Sequence, residues 1–143
     1  MTSRASRRVP EYRRVRQVGT LPWSVDLGLK TTQNPRPGRP YTIEFVFPEF
    51  TAIHPETNEP VFATITVRYV PGDACVETVS LKRYLGSYRN QATSYEGGVN
   101  RILDDLVAAC NPKKMSVVGE FTVRGGIFAT VTVDWARDGV ADS

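Results

Sequence analysis

This 143-residue chain has only three histidine or cysteine side chains, the residue types that most often bind zinc. His54 is the only histidine, and Cys75 and Cys110 are the only cysteines. A tetrahedral zinc site usually takes four cysteine or histidine ligands, so the sequence predicts no metal site within one subunit, while a site shared between subunits stays open. The two cysteines are far apart in sequence and lie in segments predicted to be structured, so two reduced thiols are favoured over a disulfide.

Glu96 is the acidic residue whose position suggests ligand binding. A carboxylate can accept two hydrogen bonds from adjacent N–H groups of a heterocycle, and such charge-assisted pairs are stronger than neutral ones. Glu96 also lies at the start of a predicted helix, where the helix dipole alone favours an acidic residue. Taken by itself, the residue supports both interpretations equally.

Four segments alternate apolar with polar residues, which is the period of a strand with one buried face. The predicted strands cover residues 41–47, 61–70, 115–123 and 126–135. Residues 48–60 are predicted to form one long loop between the first two strands. Arg124-Gly125-Gly126 indicates a tight turn between the last two strands.

In the middle of the chain the apolar period changes to that of a helix. The predicted helices cover residues 80–91 and 95–110; Thr93 or Ser94 caps the second, which ends before Asn111. The order is strand, strand, helix, helix, strand, strand. It predicts an α+β domain in which a four-stranded antiparallel sheet carries both helices on one face.

Several segments of the chain resemble the QueF family of nitrile reductases, which convert 7-cyano-7-deazaguanine to its aminomethyl form. They are residues 50–55, 77–84, 87–90, 95–96 and 121–127. The resemblance spans about residues 41–135 and implies the tunnelling fold (T-fold), in which sheets of several subunits join into an oligomeric barrel with active sites at subunit interfaces. The two open edges of a four-stranded sheet also favour such closure, so we predict a homo-oligomer.

The resemblance implies a pocket for a 7-deazaguanine base. It assigns Glu96 to the guanine-like edge of the base and Val76, Glu77 and Thr78 to the pocket wall, partly through their backbone groups. Tyr95 stands where the family carries histidine, and a tyrosine can still stack on the base or donate a hydrogen bond. Recognition of the ring is therefore expected to persist.

The cationic patch that holds the NADPH phosphates in the family is incomplete here. Val79 stands where the family usually carries lysine, while Lys82 and Arg124 remain. These two cations could contact a phosphate or a carboxylate, or they could be ordinary exposed charges. We expect that the protein uses no cofactor. NADPH would be its cofactor only if the chain is a reductase.

Two further differences from the family concern the reaction. His54 stands where the family has its nucleophilic cysteine, and Val61 where it has its proton-donating aspartate. Nitrile reduction needs a thiolate that forms a thioimide, and an imidazole is a poor substitute. We therefore expect a non-redox decarboxylation of 7-carboxy-7-deazaguanine to 7-deazaguanine, with His54 as general acid and Val61 as an apolar wall. The alternatives are an NADPH-dependent 7-cyano-7-deazaguanine reductase and a non-catalytic deazaguanine-binding protein.

The positive charge of the chain is concentrated at its N-terminus. Residues 1–17 hold six of the eighteen basic residues and one acidic residue, a net charge of +5, and the remaining 12 basic and 14 acidic residues give −2. We predict a basic, disordered tail at 1–20 and a single domain at 21–143; contact of the tail with nucleic acid is the less favoured interpretation. The sequence shows neither a membrane span nor a signal peptide, so a cytoplasmic location is expected.

Overall fold

The structure, a computed structural model, describes residues 28–138, so the tail predicted at 1–20 lies outside the described residues. Within these residues, six strands, two helices and one turn of 3-10 helix follow one another. They are β1 (Thr31–Gln33), β2 (Ile43–Ile53), β3 (Pro60–Val70), β4 (Ala74–Val76), α1 (Thr78–Gly86), the 3-10 turn (Ser87–Asn90), α2 (Tyr95–Cys110), β5 (Lys114–Arg124) and β6 (Ile127–Ala136).

The main sheet has four antiparallel strands in the order β2-β3-β5-β6. Its central strand β3 pairs with both neighbours, so that Ile65 lies opposite Phe47 on one side and opposite Gly119 on the other. Both helices pack on one face of this sheet, α1 on β2 and α2 on β5 and β6. The predicted α+β fold with antiparallel strands and two helices on one face is confirmed.

The core lies between the helices and the sheet, and it follows the predicted periodicities. The first helical segment buries Leu81, Tyr84, Leu85 and Tyr88, and α2 buries Val99, Ile102, Leu103, Leu106 and Cys110. β3 contributes every second residue, from Val61 to Tyr69. Because each of these elements is apolar on one side only, the buried layer forms where those sides face one another.

β2 is longer than predicted, and the prediction of a loop over residues 48–60 is wrong in its first half. Phe47 pairs with Ile65 but Phe50 pairs with Ala63, so three residues of β2 span two of β3 in a β-bulge beside Pro48. Because of the extra residue, side chains after the bulge point to the opposite face of the sheet from the one that the preceding alternation predicts. This interrupts the alternation of apolar and polar residues in the sequence. Pairing then continues to Ile53, which leaves only residues 54–59 as the connection to β3.

The first helix also differs from its prediction at residues 80–91. α1 begins at Thr78 because Glu77 caps it, and it ends at Gly86, where four residues of 3-10 helix continue to Asn90. α2 agrees with its predicted bounds and is capped by Ser94, whose hydroxyl accepts a hydrogen bond from the N–H of Gly97. Neither helix of the described residues is long and apolar enough to cross a membrane.

A second, two-stranded sheet was not predicted. β1 pairs antiparallel with β4, and the buried Asn34 holds this sheet to the turn after β3 by donating from Nδ2 to the carbonyl of Gly72 at 2.7 Å. The hydroxyl of Tyr41 donates to Oδ1 of Asn34 at 2.6 Å. Strands of three residues carry no readable period, so the sequence offered no signal for this sheet.

A buried polar cluster joins α1 to α2. The hydroxyl of Tyr84 donates to Oδ2 of Asp105 at 2.5 Å and lies 2.9 Å from the hydroxyl of Tyr88. Nε of Arg101 is 3.7 Å from the same carboxylate oxygen. Burial raises the pKa of Asp105 to about 7, although Arg101 and the Tyr84 hydrogen bond act in the opposite direction.

Candidate functional site

Two backbone hydrogen bonds hold the end of β2 against the segment that leads into α2. The N–H of Ile53 donates to the carbonyl of Gln91 at 2.9 Å, and the N–H of Thr93 donates to the carbonyl of Ile53 at 3.0 Å. Ile53 and Ala92 thereby form a single parallel bridge outside the named strands. As a result, His54 and Tyr95 meet with ring centroids 6.4 Å apart and ring planes at 83°.

The imidazole of His54 organises the short connection between β2 and β3. Its Nδ1 accepts hydrogen bonds from the N–H groups of Glu56, at 3.1 Å, and Thr57, at 3.3 Å. The backbone of His54 also bonds to Glu59 and Asn58 across the loop. Since Nδ1 is the acceptor, a neutral ring carries its hydrogen on Nε2, which is the nitrogen left to meet a ligand.

Tyr95, the first residue of α2, is stacked on Phe121 of β5, with ring centroids 4.4 Å apart and an interplanar angle of 27°. Phe121 is buried and Tyr95 is half-buried. Gly119 makes room for this contact, since a Cβ there would lie 2.9 Å from Cε1 of Phe121 and 2.7 Å from Cγ2 of Val99. Tyr95 therefore has a buried aromatic ring against one face and His54 near its edge.

Glu96 follows Tyr95 in the first turn of α2 and is exposed. Its backbone carbonyl accepts a hydrogen bond from Nδ2 of Asn100 at 2.9 Å. Within the part of the chain that the structure describes, its carboxylate joins no ion pair. An exposed carboxylate at a helix N-terminus, next to two aromatic rings, can accept hydrogen bonds from a planar ligand.

Val61 lies at the start of β3, near the His54 loop, and is buried opposite Ala52. Its side chain belongs to the hydrophobic core and can neither give nor take a proton. Arg124, the last residue of β5, lies at the same end of the sheet as His54, because its neighbour Phe121 pairs with Ala63. The side chain of Arg124 is outside the described part of the structure.

The residues assigned to the pocket wall lie at the other end of the sheet. The N–H of Val76 donates to the hydroxyl of Tyr69 at 2.9 Å. Tyr69 is eight residues along β3 from Val61, a distance of about 26 Å in an extended strand. Val76 therefore cannot contact the same small molecule as His54 and Tyr95 within one chain.

Glu77 is engaged as the N-cap of α1. Its carboxylate accepts hydrogen bonds from the N–H groups of Val79, at 2.7 Å, and Ser80, at 2.8 Å. These two backbone hydrogen bonds lower the pKa of Glu77. Beside it, Thr78 and Lys82 are exposed, and Val79 exposes 54% of its surface where the family carries a cation.

Neither thiol is near His54 within the chain. Cys110 ends α2, so it is about 22 Å from Tyr95 along the helix axis, and burial raises its pKa to about 12. Cys75 belongs to β4, beside Val76, with its sulfur 3.8 Å from the hydroxyl of Tyr41. Both are free cysteines. In the described residues no group of three or more histidine, cysteine, aspartate or glutamate side chains is arranged to hold a metal ion.

The fold, together with the candidate site at the His54 end of the main sheet, identifies the class of protein. The order ββααββ, with the helices on one face of an antiparallel sheet, is that of a tunnelling-fold subunit. A solved structure of an archaeosine synthase QueF-Like in the apo form matches with a TM-score of 0.59 at 19% sequence identity. That match covers 66% of this chain and 91% of the other. At this identity the match shows the fold alone.

The sequence comparisons identify the family. The family described as QueF-like protein matches residues 60–139. An NADPH-dependent 7-cyano-7-deazaguanine reductase of Anaeromyxobacter sp. (strain K) is 53% identical over 112 residues, covering 78% of this chain and 92% of that protein. The protein of the same description from Nitrosococcus oceani is 47% identical over 119 residues, covering 83% and 92%. The chain therefore belongs to the QueF-like family, and the predicted resemblance is confirmed.

The structure also shows two contributors that the sequence did not reveal. Phe121 belongs to the predicted strand 115–123 and to the family-like segment 121–127, and neither pattern gave any sign of its stack on Tyr95. The Ile53–Ala92 bridge uses backbone atoms alone, so no side-chain pattern could have indicated it. The proximity of His54 and Tyr95 followed from the resemblance and not from the periodicity.

Proposed function

We propose that this chain binds a C7-substituted 7-deazaguanine and removes a C7 carboxylate without redox chemistry. The observation that carries the proposal is an imidazole, with no thiol of the chain nearby, beside Tyr95 and Glu96. The relatives that are about half identical over this region are 7-cyano-7-deazaguanine reductases, which supports a base of the same class as the ligand.

Base recognition is assigned to Glu96. The N1 hydrogen and the exocyclic amino group of a guanine-like ring lie side by side, and one carboxylate accepts both. Glu96 is exposed at the helix start and joins no ion pair among residues 28–138, so within these residues no salt bridge would have to break for such a ligand to bind. Tyr95, held by Phe121, offers an aromatic surface beside it.

A single chain supplies only part of the proposed site. Val76, Glu77 and Thr78 are at the opposite sheet end from His54, so their proposed role in the pocket wall requires a neighbouring copy. The open edges of β2 and β6 give such copies a place to pair. We therefore propose a homo-oligomer whose sites lie between subunits.

The proposed reaction replaces the carboxylate on C7 with hydrogen. Nε2 of a protonated His54 gives its proton to C7; the bond from C7 to the carboxyl carbon then breaks, carbon dioxide leaves, and the electron pair returns to the ring. To act as this acid, His54 must carry a second hydrogen on Nδ1, opposite the N–H groups of Glu56 and Thr57. Losing those two hydrogen bonds costs about 1 to 3 kcal/mol. The negative charge of a C7 carboxylate beside the ring would offset that cost.

Loss of Nδ1 and loss of Nε2 can be separated by two substitutions. Asparagine carries its Oδ1 at the same number of bonds from Cα as Nδ1 of histidine. His54→Asn thus keeps an acceptor for the loop amides and removes the proposed acid, whereas His54→Ala removes both. We expect both variants to lose about 100-fold or more in turnover of the carboxy substrate, and His54→Asn alone to keep the wild-type stability.

The measurement is the mass of the products formed from 7-carboxy- and 7-cyano-7-deazaguanine, each with and without NADPH. We expect 7-deazaguanine from the carboxy compound without cofactor. Carbon dioxide release at the wild-type rate by His54→Asn would contradict the proton-donor role of His54, and no release by the wild type would contradict decarboxylation.

The second candidate is the reduction carried out by the relatives, and their 53% identity favours it. It needs a thiolate and NADPH, and the surface of α1 carries the exposed Val79 where a phosphate would need a cation. Position 79 therefore gives the cofactor no cation, and we derive no step through it. Substrate-dependent NADPH oxidation that disappears in Cys75→Ser would establish this alternative.

The third candidate is a protein that binds the base without turning it over. The two hydrogen bonds that Nδ1 of His54 accepts within its own loop favour it, because they give the imidazole a structural role. Binding of both bases by the wild type, with no product from either, would establish this candidate.

A further inference from the structure

We infer that Phe121 is a positioning residue, whose ring sets the plane of Tyr95 against His54 and so determines how the base is held. This inference rests on the proposed function, because it concerns the same ligand. It starts from the position of Tyr95, the first residue of its helix. No turn of the helix precedes Tyr95, so its ring has no helical neighbours on that side. Contacts with other elements therefore decide the orientation of the Tyr95 ring.

The stack provides that packing. The rings of Tyr95 and Phe121 are 4.4 Å apart and nearly parallel, while the imidazole of His54 meets Tyr95 edge-on at 6.4 Å. Aromatic pairs of this kind favour one relative geometry beyond simple burial. A leucine at position 121 would fill much of the same volume without offering a flat surface.

The position of Phe121 is itself tightly defined. Its ring lies against the bare Cα of Gly119, where a Cβ would come within 2.9 Å of Cε1. Tyr95 stacks on the same ring, and the residue is fixed in β5 by pairing with Ala63 and Ala129. A rigid strand thus holds the plane of a half-buried tyrosine at the end of a helix.

Phe50 provides a matched control. It lies in the same row of the sheet, since Ala63 pairs with Phe50 on one side and with Phe121 on the other. It is buried to a similar extent and also contacts a tyrosine, Tyr88, with centroids 5.3 Å apart. Phe50→Leu therefore repeats the loss of an aromatic ring from the core without touching Tyr95.

The experiment is a double-mutant cycle read out by calorimetric affinity for 7-deazaguanine, with thermal melting to establish that each variant is folded. We expect Phe121→Leu to weaken binding about fivefold or more, and less than twofold when Tyr95→Leu is already present. Phe50→Leu should change affinity less than twofold in both backgrounds while lowering the melting temperature by a similar amount.

The outcomes distinguish this inference from the proposed function. Wild-type protein that binds no 7-deazaguanine overturns both. Wild-type binding with an unchanged affinity of Phe121→Leu, or an equal loss in the Tyr95→Leu background, overturns the positioning role alone. If Phe121→Leu does not fold, Phe121→Met takes its place in the same cycle, since it removes the ring and keeps a long apolar side chain.

Discussion

At the scale of single residues, His54 combines a structural contact through one ring nitrogen with a second ring nitrogen that can meet a ligand. Nδ1 holds the loop amides of Glu56 and Thr57, and Nε2 is left for a ligand. The sequence alone could name His54 and Glu96 because their side-chain chemistry is specific. It could not show the Nδ1 contacts or the stack of Tyr95 on Phe121, since both depend on how distant strands are paired.

Glu96→Gln tests the base-binding role. One acceptor of the carboxylate becomes an N–H donor that faces a donor of the ligand, so the affinity for 7-deazaguanine should fall by about 2 to 4 kcal/mol. Thermal stability should change little, because the exposed Glu96 side chain loses only its favourable interaction with the helix dipole. Glu49→Gln, at an exposed position of β2, is the control for charge. Equal affinities of the wild type and Glu96→Gln in calorimetry would remove Glu96 from the site.

At the scale of elements, strong periodicity predicted α2, β3 and β5 to within a residue or two of their observed bounds. The predicted strand for β2 was too short because of the bulge. Beyond the bulge, Phe50 and Ala52 are the buried residues, whereas simple alternation from Phe47 would bury residues 49 and 51. The start of α1 was missed because a glutamate cap is not among the usual cap residues. These local irregularities are decided by neighbouring strands and backbone groups.

The two helices carry carboxyl groups with opposite effects on the pH dependence of stability. The pKa of Asp105 is raised by folding, from 3.8 to about 7, so the folded state holds an extra proton between these values. The free energy of unfolding should therefore fall as pH rises from about 4 to above 7, by as much as about 4 kcal/mol. Urea unfolding at pH 5 and pH 8 should show this loss in the wild type and in the exposed-site control Asp73→Asn, but not in Asp105→Asn.

Glu77 should act in the other direction. Its pKa is lowered by the amide hydrogen bonds of Val79 and Ser80, so its contribution is present above the unfolded pKa and is lost as pH falls through the folded pKa. Glu77→Ala should lower the melting temperature at pH 7 more than at pH 3. If the pH 7 effect is absent, the cap does not stabilise α1 in solution. If base affinity also falls, the side chain takes part in the pocket.

At the scale of the whole molecule, the sheet has two open edges, and its candidate binding residues are divided between its ends. Apolar side chains near one edge are unusually exposed: Ile127 by 70% and Phe128 by 78%. Both features support the proposal of a homo-oligomer.

Light scattering after size exclusion should accordingly give a mass that is a multiple of 15.9 kDa. Phe128→Lys, which places a charge on the exposed apolar edge, should reduce that mass, while Lys at the exposed position of Ala108 in α2, away from both sheet edges, should leave it unchanged. A mass of one chain for the wild type at micromolar concentration would contradict the shared site and require all base contacts to come from the His54 end.

The Ile53–Ala92 bridge has a consequence for how new activities could be built on this scaffold. It joins the residue before His54 to the segment before Tyr95 by main-chain atoms only. The reactive side chains at positions 54 and 95 can therefore be exchanged while the framework that aligns them persists. Libraries that vary only those two positions should yield folded proteins most often where position 54 keeps an acceptor for the loop amides of Glu56 and Thr57.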